Sequence, residues 1–253
     1  MAKVTLIQAQ KQKGRYNVFI DNKFAFGVSE NTLIDFRLAK NLELDDNQIE
    51  EIKNRENINK AYGDAVNYLS YQLRTEFELK KYLKEKEYDL DTIDEVLERL
   101  ISLHYVDDDN YAKTYIHSHL NTSNNGPKLM EQKLIQKGVS KFVIEDQLAE
   151  IDQDILIENA VDFAKKQIKK SRKNSFSNLQ QKIKQTLYQK GFSNEIIEEA
   201  ISKIDLQKDD ETELENLKAM INKVQKRYPD KNKLITYLMT KGFKYQDIKN
   251  ELE

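Results

Sequence analysis

The chain contains no cysteine, which excludes disulfides, thiol nucleophiles and thiolate metal sites and fits a reducing compartment. Only 2 prolines and 7 glycines interrupt its 253 residues, so little stops helices from forming and long buried parallel strands are not expected. No stretch approaches the roughly eighteen uncharged apolar residues of a membrane span. The opening MAKVTLIQAQKQKG lacks the apolar core of a signal peptide. The expectation is a cytoplasmic protein with no membrane partner. There is no Gly-rich phosphate loop, no GxSxG elbow and no convergent acid, base, nucleophile and metal set. These absences point away from an enzyme and from any cofactor.

What is present is charge, at 33% of residues, and a 39% hydrophobic fraction rich in Leu and Ile, the mixture of amphipathic helices with solvated backs. The net charge of −2 conceals blocks of one sign. Between Lys165 and Lys190 no Asp or Glu occurs, while Lys165, Lys166, Lys169, Lys170, Arg172, Lys173, Lys182, Lys184 and Lys190 all do. The next stretch is acidic, with Glu195, Glu198, Glu199, Asp205, Asp209, Asp210, Glu211, Glu213 and Glu215 against Lys203 and Lys208.

Self-similarity organises the rest. Taking Leu83 as an anchor, its counterparts are Leu134, Leu187 and Leu238, at spacings of 51, 53 and 51 residues. Three positions after each anchor stands a lysine: Lys86, Lys137, Lys190 and Lys241. Glycine follows as Gly138, Gly191 and Gly242, with Glu87 the exception, and then Tyr88, Val139, Phe192 and Phe243. Ten past the anchor are Ile93, Ile144, Ile197 and Ile248. This reads as helix, left-handed turn, helix, the glycine taking positive φ cheaply and the apolar residue folding back on the last turn. Asp89, Ser140 and Ser193 occupy the next N-cap, whereas Lys244 cannot.

A longer amphipathic stretch precedes each pair, at 58–73, 108–120, 155–170 and 213–228, so each repeat is three helices. Turn signals separate the first helix from the second: Thr75 with Glu78 as a capping box, Asn125-Gly126-Pro127, Ser175 to Asn178, and Pro229-Asp230. Before residue 57 the pattern alternates in Val4–Ala9, Tyr16–Ile20 and Phe24–Val28, with turns near Gly14 and Asp21-Asn22. That predicts a three-stranded meander followed by two short helices around 30–37 and 45–54. The expected domains are 1–56, 57–106, 107–151, 152–206 and 207–253: a mainly α chain of tandem three-helix repeats in an elongated curved array behind a small β/α module.

The second repeat carries the most distinctive text, Tyr105-Val106-Asp107-Asp108, Tyr111-Ala112, Tyr115-Ile116, Gly126-Pro127 and Leu134 through Lys137-Gly138-Val139. With Ala61, Ala65, Leu69, Arg74, Glu78-Leu79 and Leu83 in the first repeat and Lys190-Gly191-Phe192 in the third, it resembles the RecX family. The resemblance implies three-helix domains that bind RecA recombinase, lodge in the groove of its filament on DNA and restrain ATPase and strand exchange. Some members bind DNA themselves. RecA is then the expected partner, with ssDNA or dsDNA as a further direct ligand and the chain monomeric. Glu87 departs from the family's glycine, and residues 1–56 form an extension that compact members lack.

The residues themselves leave two readings of the 165–190 block: a phosphate-facing or acidic-protein-facing surface, or a solvated helix back. Its lack of acids favours binding. Arg74, Lys86, Lys137 and Lys241 are secondary candidates, although lysine in a last turn is explained equally by the negative helix end. Asp107, Asp108 and Asp109 read as a helix start rather than an oxygen-ligand metal site. His117 and His119 point to different helix faces, and His104 stands alone, which argues against zinc. Tyr71, Tyr105, Tyr111, Tyr115, Tyr188 and Tyr237 could stack on bases, but helical spacing assigns most of them to packing.

Overall fold

In the computed structural model, which describes residues 2–122, 125–171, 173–204 and 206–253, the alternating N-terminal segment forms an antiparallel sheet of order β3-β2-β1-β4. Its strands are β1 (Ala2–Ala9), β2 (Arg15–Ile20), β3 (Lys23–Ser29) and β4 (Glu43–Leu44), with helix α1 (Glu30–Asp35) between the last two. The β2–β3 turn puts Asp21 and Asn22 at φ 48° and 65°, the pairing that matches strand twist in a two-residue hairpin. The fourth strand corrects the three-stranded expectation. Only two residues long, it is too short for alternation to reveal. Ala2 pairs with Leu44 and Lys3 with Glu43, and Leu44 is buried with Val4, Val18, Val28, Leu38 and Ile52.

The second correction is a single helix α2 (Asp46–Leu69) where two were expected. Asp45 and Gln48 form its capping box, and neither Pro nor a cap residue with its partner interrupts the stretch joining 54 to 58. Gly63 lies within it, where an added Cβ would meet nothing within 4 Å, and its helix cost of about 1 kcal/mol is outweighed by packing at both ends. Ile52 enters the sheet core, while Ala61 and Ala65 enter the core of the first repeat. One helix thus belongs to two cores.

The first compact unit holds residues 1–111 and 137–140. In it α3 (Glu76–Glu85) and α4 (Leu90–Ser102) pack on α2 through Leu79, Leu83, Ile93, Val96, Leu97 and Leu100. The second unit holds 112–136 and 141–253. It takes most of α5 (Asp108–Thr122), then α6 (Pro127–Gln136), α7 (Lys141–Ala149), α8 (Gln153–Ser171), α9 (Phe176–Gln189) and α10 (Asn194–Lys203). The last repeat supplies α11 (Asp210–Val224), α12 (Lys231–Thr240) and α13 (Tyr245–Leu252), packed around Leu217, Leu234, Leu238 and Ile248.

The repeated turn is the same object each time. The amides of Tyr88, Phe192 and Phe243 donate to the carbonyls of Leu83, Leu187 and Leu238, each at 3.3 Å. Glu87, Gly138, Gly191 and Gly242 hold φ of 64°, 83°, 88° and 84°. Two of the expected caps are in place, Asp89 accepting from Thr92 N and Ser193 from Ile196 N, and Lys244 makes no side-chain cap bond.

Glycine answers to more than φ. A Cβ on Gly138 would fall 2.2 Å from Cβ of Phe77, and one on Gly191 would fall 2.4 Å from N of Leu129. Both turns therefore lie flat against the start of a helix belonging to the preceding repeat. Glu87 is exposed, with no repeat before it, and only φ opposes a side chain there. Gly191→Ala should accordingly destabilise by roughly 2–4 kcal/mol, combining left-handed strain with overpacking. Glu87→Gly should be neutral or stabilise by up to about 1 kcal/mol. Urea unfolding of the two variants beside the parent checks both signs.

Candidate functional site

The repeats meet through the lysine carbonyl of that turn. Thr75, N-cap of α3, donates its hydroxyl to Lys137 O at 2.6 Å, and Ser175, N-cap of α9, donates to Lys241 O at 2.5 Å. At the start of α6 the corresponding residue is Gly126, whose amide donates to Lys190 O at 2.7 Å. Thr75 and Ser175 are almost wholly buried, and each hydroxyl also accepts from its own helix, at Glu78 N and Asn178 N. A helix start and a helix end, each with orphan backbone groups, satisfy one another.

A carboxylate from the following first helix completes two of these contacts. Asp108 Oδ1 accepts from Glu76 N at 2.9 Å, and Glu213 Oε2 from Phe176 N at 2.7 Å. Asp108 therefore caps a neighbouring helix, while Asp107 caps its own by accepting from Asn110 N. Burial pushes both Asp108 and Glu213 above the ordinary carboxylate values of 3.8 and 4.5, against the amide bonds, which pull them down.

The candidate cations divide by this geometry. Lys190 is half-buried, its ammonium 3.2 Å from Asn125 Oδ1 and 5.7 Å above the Phe163 ring, so it serves the junction. Lys137 pairs with Glu78, which also faces Arg74 at 3.8 Å. Arg74 lies 4.4 Å above Tyr68, which stacks on Tyr82 at 4.0 Å, and Lys86 covers the Tyr82 ring. The last repeat repeats this stack with Arg227, Tyr228, Tyr237 and Lys241. Arg74, Lys86 and Lys241 are thus held against rings or carboxylates of their own repeats, and Lys137 against the Glu78 carboxylate of the repeat before it.

The third repeat differs. Helix α8 buries Leu156, Ile157, Ala160, Phe163 and Ala164 on one stripe, and α9 buries Leu179, Ile183 and Leu187. The cations fall outside those stripes: Lys165, Lys166, Lys169, Lys170, Lys182 and Lys184 on the two helices, and Lys173 in the turn between them, are exposed. Lys184 pairs with Glu198 at 2.6 Å. Among the described residues Lys165, Lys169, Lys170, Lys173 and Lys182 form no ion pair, and Arg172 and the acidic Asp205 lie outside them. Lys169 and Lys170 occupy the last turn, where the helix end favours cations.

The aromatic expectation needs correction. Tyr71, Tyr105 and Tyr188 are 78%, 58% and 58% exposed rather than packed. Periodicity placed them near apolar stripes, but each sits at a helix end or turn, where the stripe runs out. Tyr111 is partly buried and its hydroxyl is held above the ordinary value by that burial, while Tyr115 meets His119 edge-on at 4.1 Å. Sequence reading assigned Thr75 and Ser175 to caps and missed the second bond each makes. Recurrence of a hydroxyl cap at one place in the repeat was the signal available.

Four family models match the chain: "Regulatory protein RecX N-terminal domain" at residues 2–45, and the first, second and third "three-helix domain" of RecX at 61–100, 107–148 and 153–201. The N-terminal segment, an extension that compact members lack, thereby has a family model of its own. A protein of Lactobacillus gasseri named "Regulatory protein RecX" is 37% identical, over 97% of this chain and 93% of that one. One of Leuconostoc mesenteroides with the same name is 41% identical, over 90% and 85%. A crystal structure titled "regulatory protein RecX" is similar with TM-score 0.71 and 38% identity, covering 80% of this chain and all of that one.

Because burial raises Asp108 and Glu213, each binds its proton more readily folded than unfolded, so stability falls as pH rises from the ordinary carboxyl range through the folded value. Asp108→Asn together with Glu213→Gln keeps both amide acceptors without a titrating charge. The double variant should lose part of that fall, measured as the urea midpoint between pH 4 and 7.

Proposed function

The chain belongs to the RecX family, and from that premise we propose that it regulates RecA recombinase by binding along the RecA–DNA filament groove and restraining ATPase and strand exchange. The observation that carries the reading is the match of successive RecX domains to this chain, joined to a repeat surface whose junction groups are already satisfied internally. Contact with a partner then falls to side chains the junctions leave over. Exposed Lys165, Lys169, Lys170, Lys173 and Lys182 on one repeat suit DNA phosphates or acidic faces of filament subunits. Lys166 and Arg172 belong to the same block by sequence. Mechanism in this reading is steric and electrostatic: a bound chain holds the filament poor in ATP turnover or blocks entry of the second duplex. The chain acts as a non-catalytic, cytoplasmic monomer in DNA repair, with domains at 1–56, 57–106, 107–151, 152–206 and 207–253.

The same lysines favour a second reading, direct nucleic-acid binding without the recombinase. Co-sedimentation with RecA–ssDNA filaments, with naked ssDNA and with RecA alone, across a salt series, distinguishes the two. Retention on filaments with inhibited ATPase, and little on naked ssDNA, is expected. Reversing Lys165, Lys169, Lys170 and Lys173 to Glu should weaken filament retention by at least about tenfold and flatten its salt dependence. Retention on ssDNA equal to that on filaments would favour the second reading, and neither binding nor inhibition would reject the first.

A further inference from the structure

The first helix of the last repeat carries a polar pair three residues apart that meets the start of a helix before it. In the last repeat the pair is Glu213 and Asn216: Glu213 Oε2 accepts from Phe176 N at 2.7 Å, and Asn216 Nδ2 donates to Asn174 O at 3.1 Å. In the third repeat Asn159 donates instead to Leu120 O at 3.0 Å, in the last turn of α5, and the carboxylate position is Leu156. The helix it faces begins with Pro127, which has no N–H to offer a carboxylate. In the second repeat Asp108 supplies the acceptor.

The first repeat follows no other, yet α2 carries the same pair as Glu56 and Asn59. Glu56 Oε2 accepts from Ser29 N and from the Thr32 hydroxyl, both at 2.7 Å, and Asn59 Nδ2 donates to Thr32 Oγ1 at 2.9 Å. Ser29 is the hydroxyl N-cap of α1, accepting from Thr32 N, as Thr75 and Ser175 are of α3 and α9. Glu56 and Glu213 are equally buried, each 8% exposed. The lysine–glycine half of the contact is missing, since Lys86 and Glu87 stand exposed. A cation comes instead from the sheet, Arg15 Nη1 lying 2.9 Å from Glu56 Oε1.

We propose that the N-terminal sheet domain is the head cap of the repeat series: through Ser29 and Thr32 it occupies the place that the start of a preceding repeat's second helix takes against Asp108 and Glu213. Repeat proteins need terminal units that close the exposed end of their stacked core. Here the closing unit has a different fold but presents the same group, a hydroxyl-capped helix start, to the same buried pair. Residues 2–45 then stabilise the first repeat rather than hang beside it. This role requires no RecA and is tested without it.

The test is residue-resolved hydrogen exchange on the full chain, comparing the parent with Glu56→Ala and with Glu213→Ala as the internal counterpart. Glu56→Ala should speed exchange at least about tenfold in α1 and also in α2 and α4 of the first repeat, as Glu213→Ala does in α9 and α11. Should Glu56→Ala fail to fold, Asn59→Ala and Arg15→Gln apply the same comparison more gently, with about threefold changes expected on both sides. Acceleration confined to residues 2–45, or none in any variant, would overturn the proposal. Coincident loss of protection in sheet and first repeat supports it.

Discussion

Each repeat is tied to the next where a helix end meets a helix start. The last carbonyls of one helix and the first amides of another are orphan groups that cost free energy when buried without partners. Here they are set face to face, so that the Lys137 and Lys241 carbonyls take the Thr75 and Ser175 hydroxyls and Gly126 serves Lys190. Such a bond contributes only about 1 kcal/mol net. Its geometry is nonetheless strict, because the backbones approach too closely for any side chain at the turn. Glycine there is required by the neighbour as much as by φ, and the one turn with no preceding repeat is the one that carries Glu87.

That constraint separates scaffold from surface. Groups used at junctions are repeated and enclosed: Asp108 and Glu213 lose solvent, Lys190 lies over Phe163, and Lys137 lies against Glu78. Groups the junctions do not use are free to vary between repeats. The third repeat spends that freedom on exposed lysines of α8 and α9, while the first and last carry aromatic stacks sandwiched between cations. Similar helices can thus present chemically unlike faces to a partner. The sheet domain obeys the same constraint from outside the repeats, offering Ser29 and Thr32 to a pair on α2 that matches Glu213 and Asn216.

Sequence alone determined the repeat, its left-handed turns and most of its caps, because those depend on residues within a few positions of each other. Leu83 and its counterparts, the glycines, and Asp89, Thr75, Ser175, Ser193 and Asp230 each act on their own helix, and periodicity exposes them. The basic block was equally legible, since exposure follows from the face opposite the apolar stripe. Tertiary structure decided what each local signal was for. A two-residue strand and a helix shared by two cores have no periodic signature, and an exposed tyrosine at a helix end has the same spacing as a packed one. Asp108 reads as the cap of its own helix until Glu76, thirty-two residues earlier, is seen to donate to it. Hydroxyls, carboxylates and lysine carbonyls distant in the chain become partners only when the helices pack.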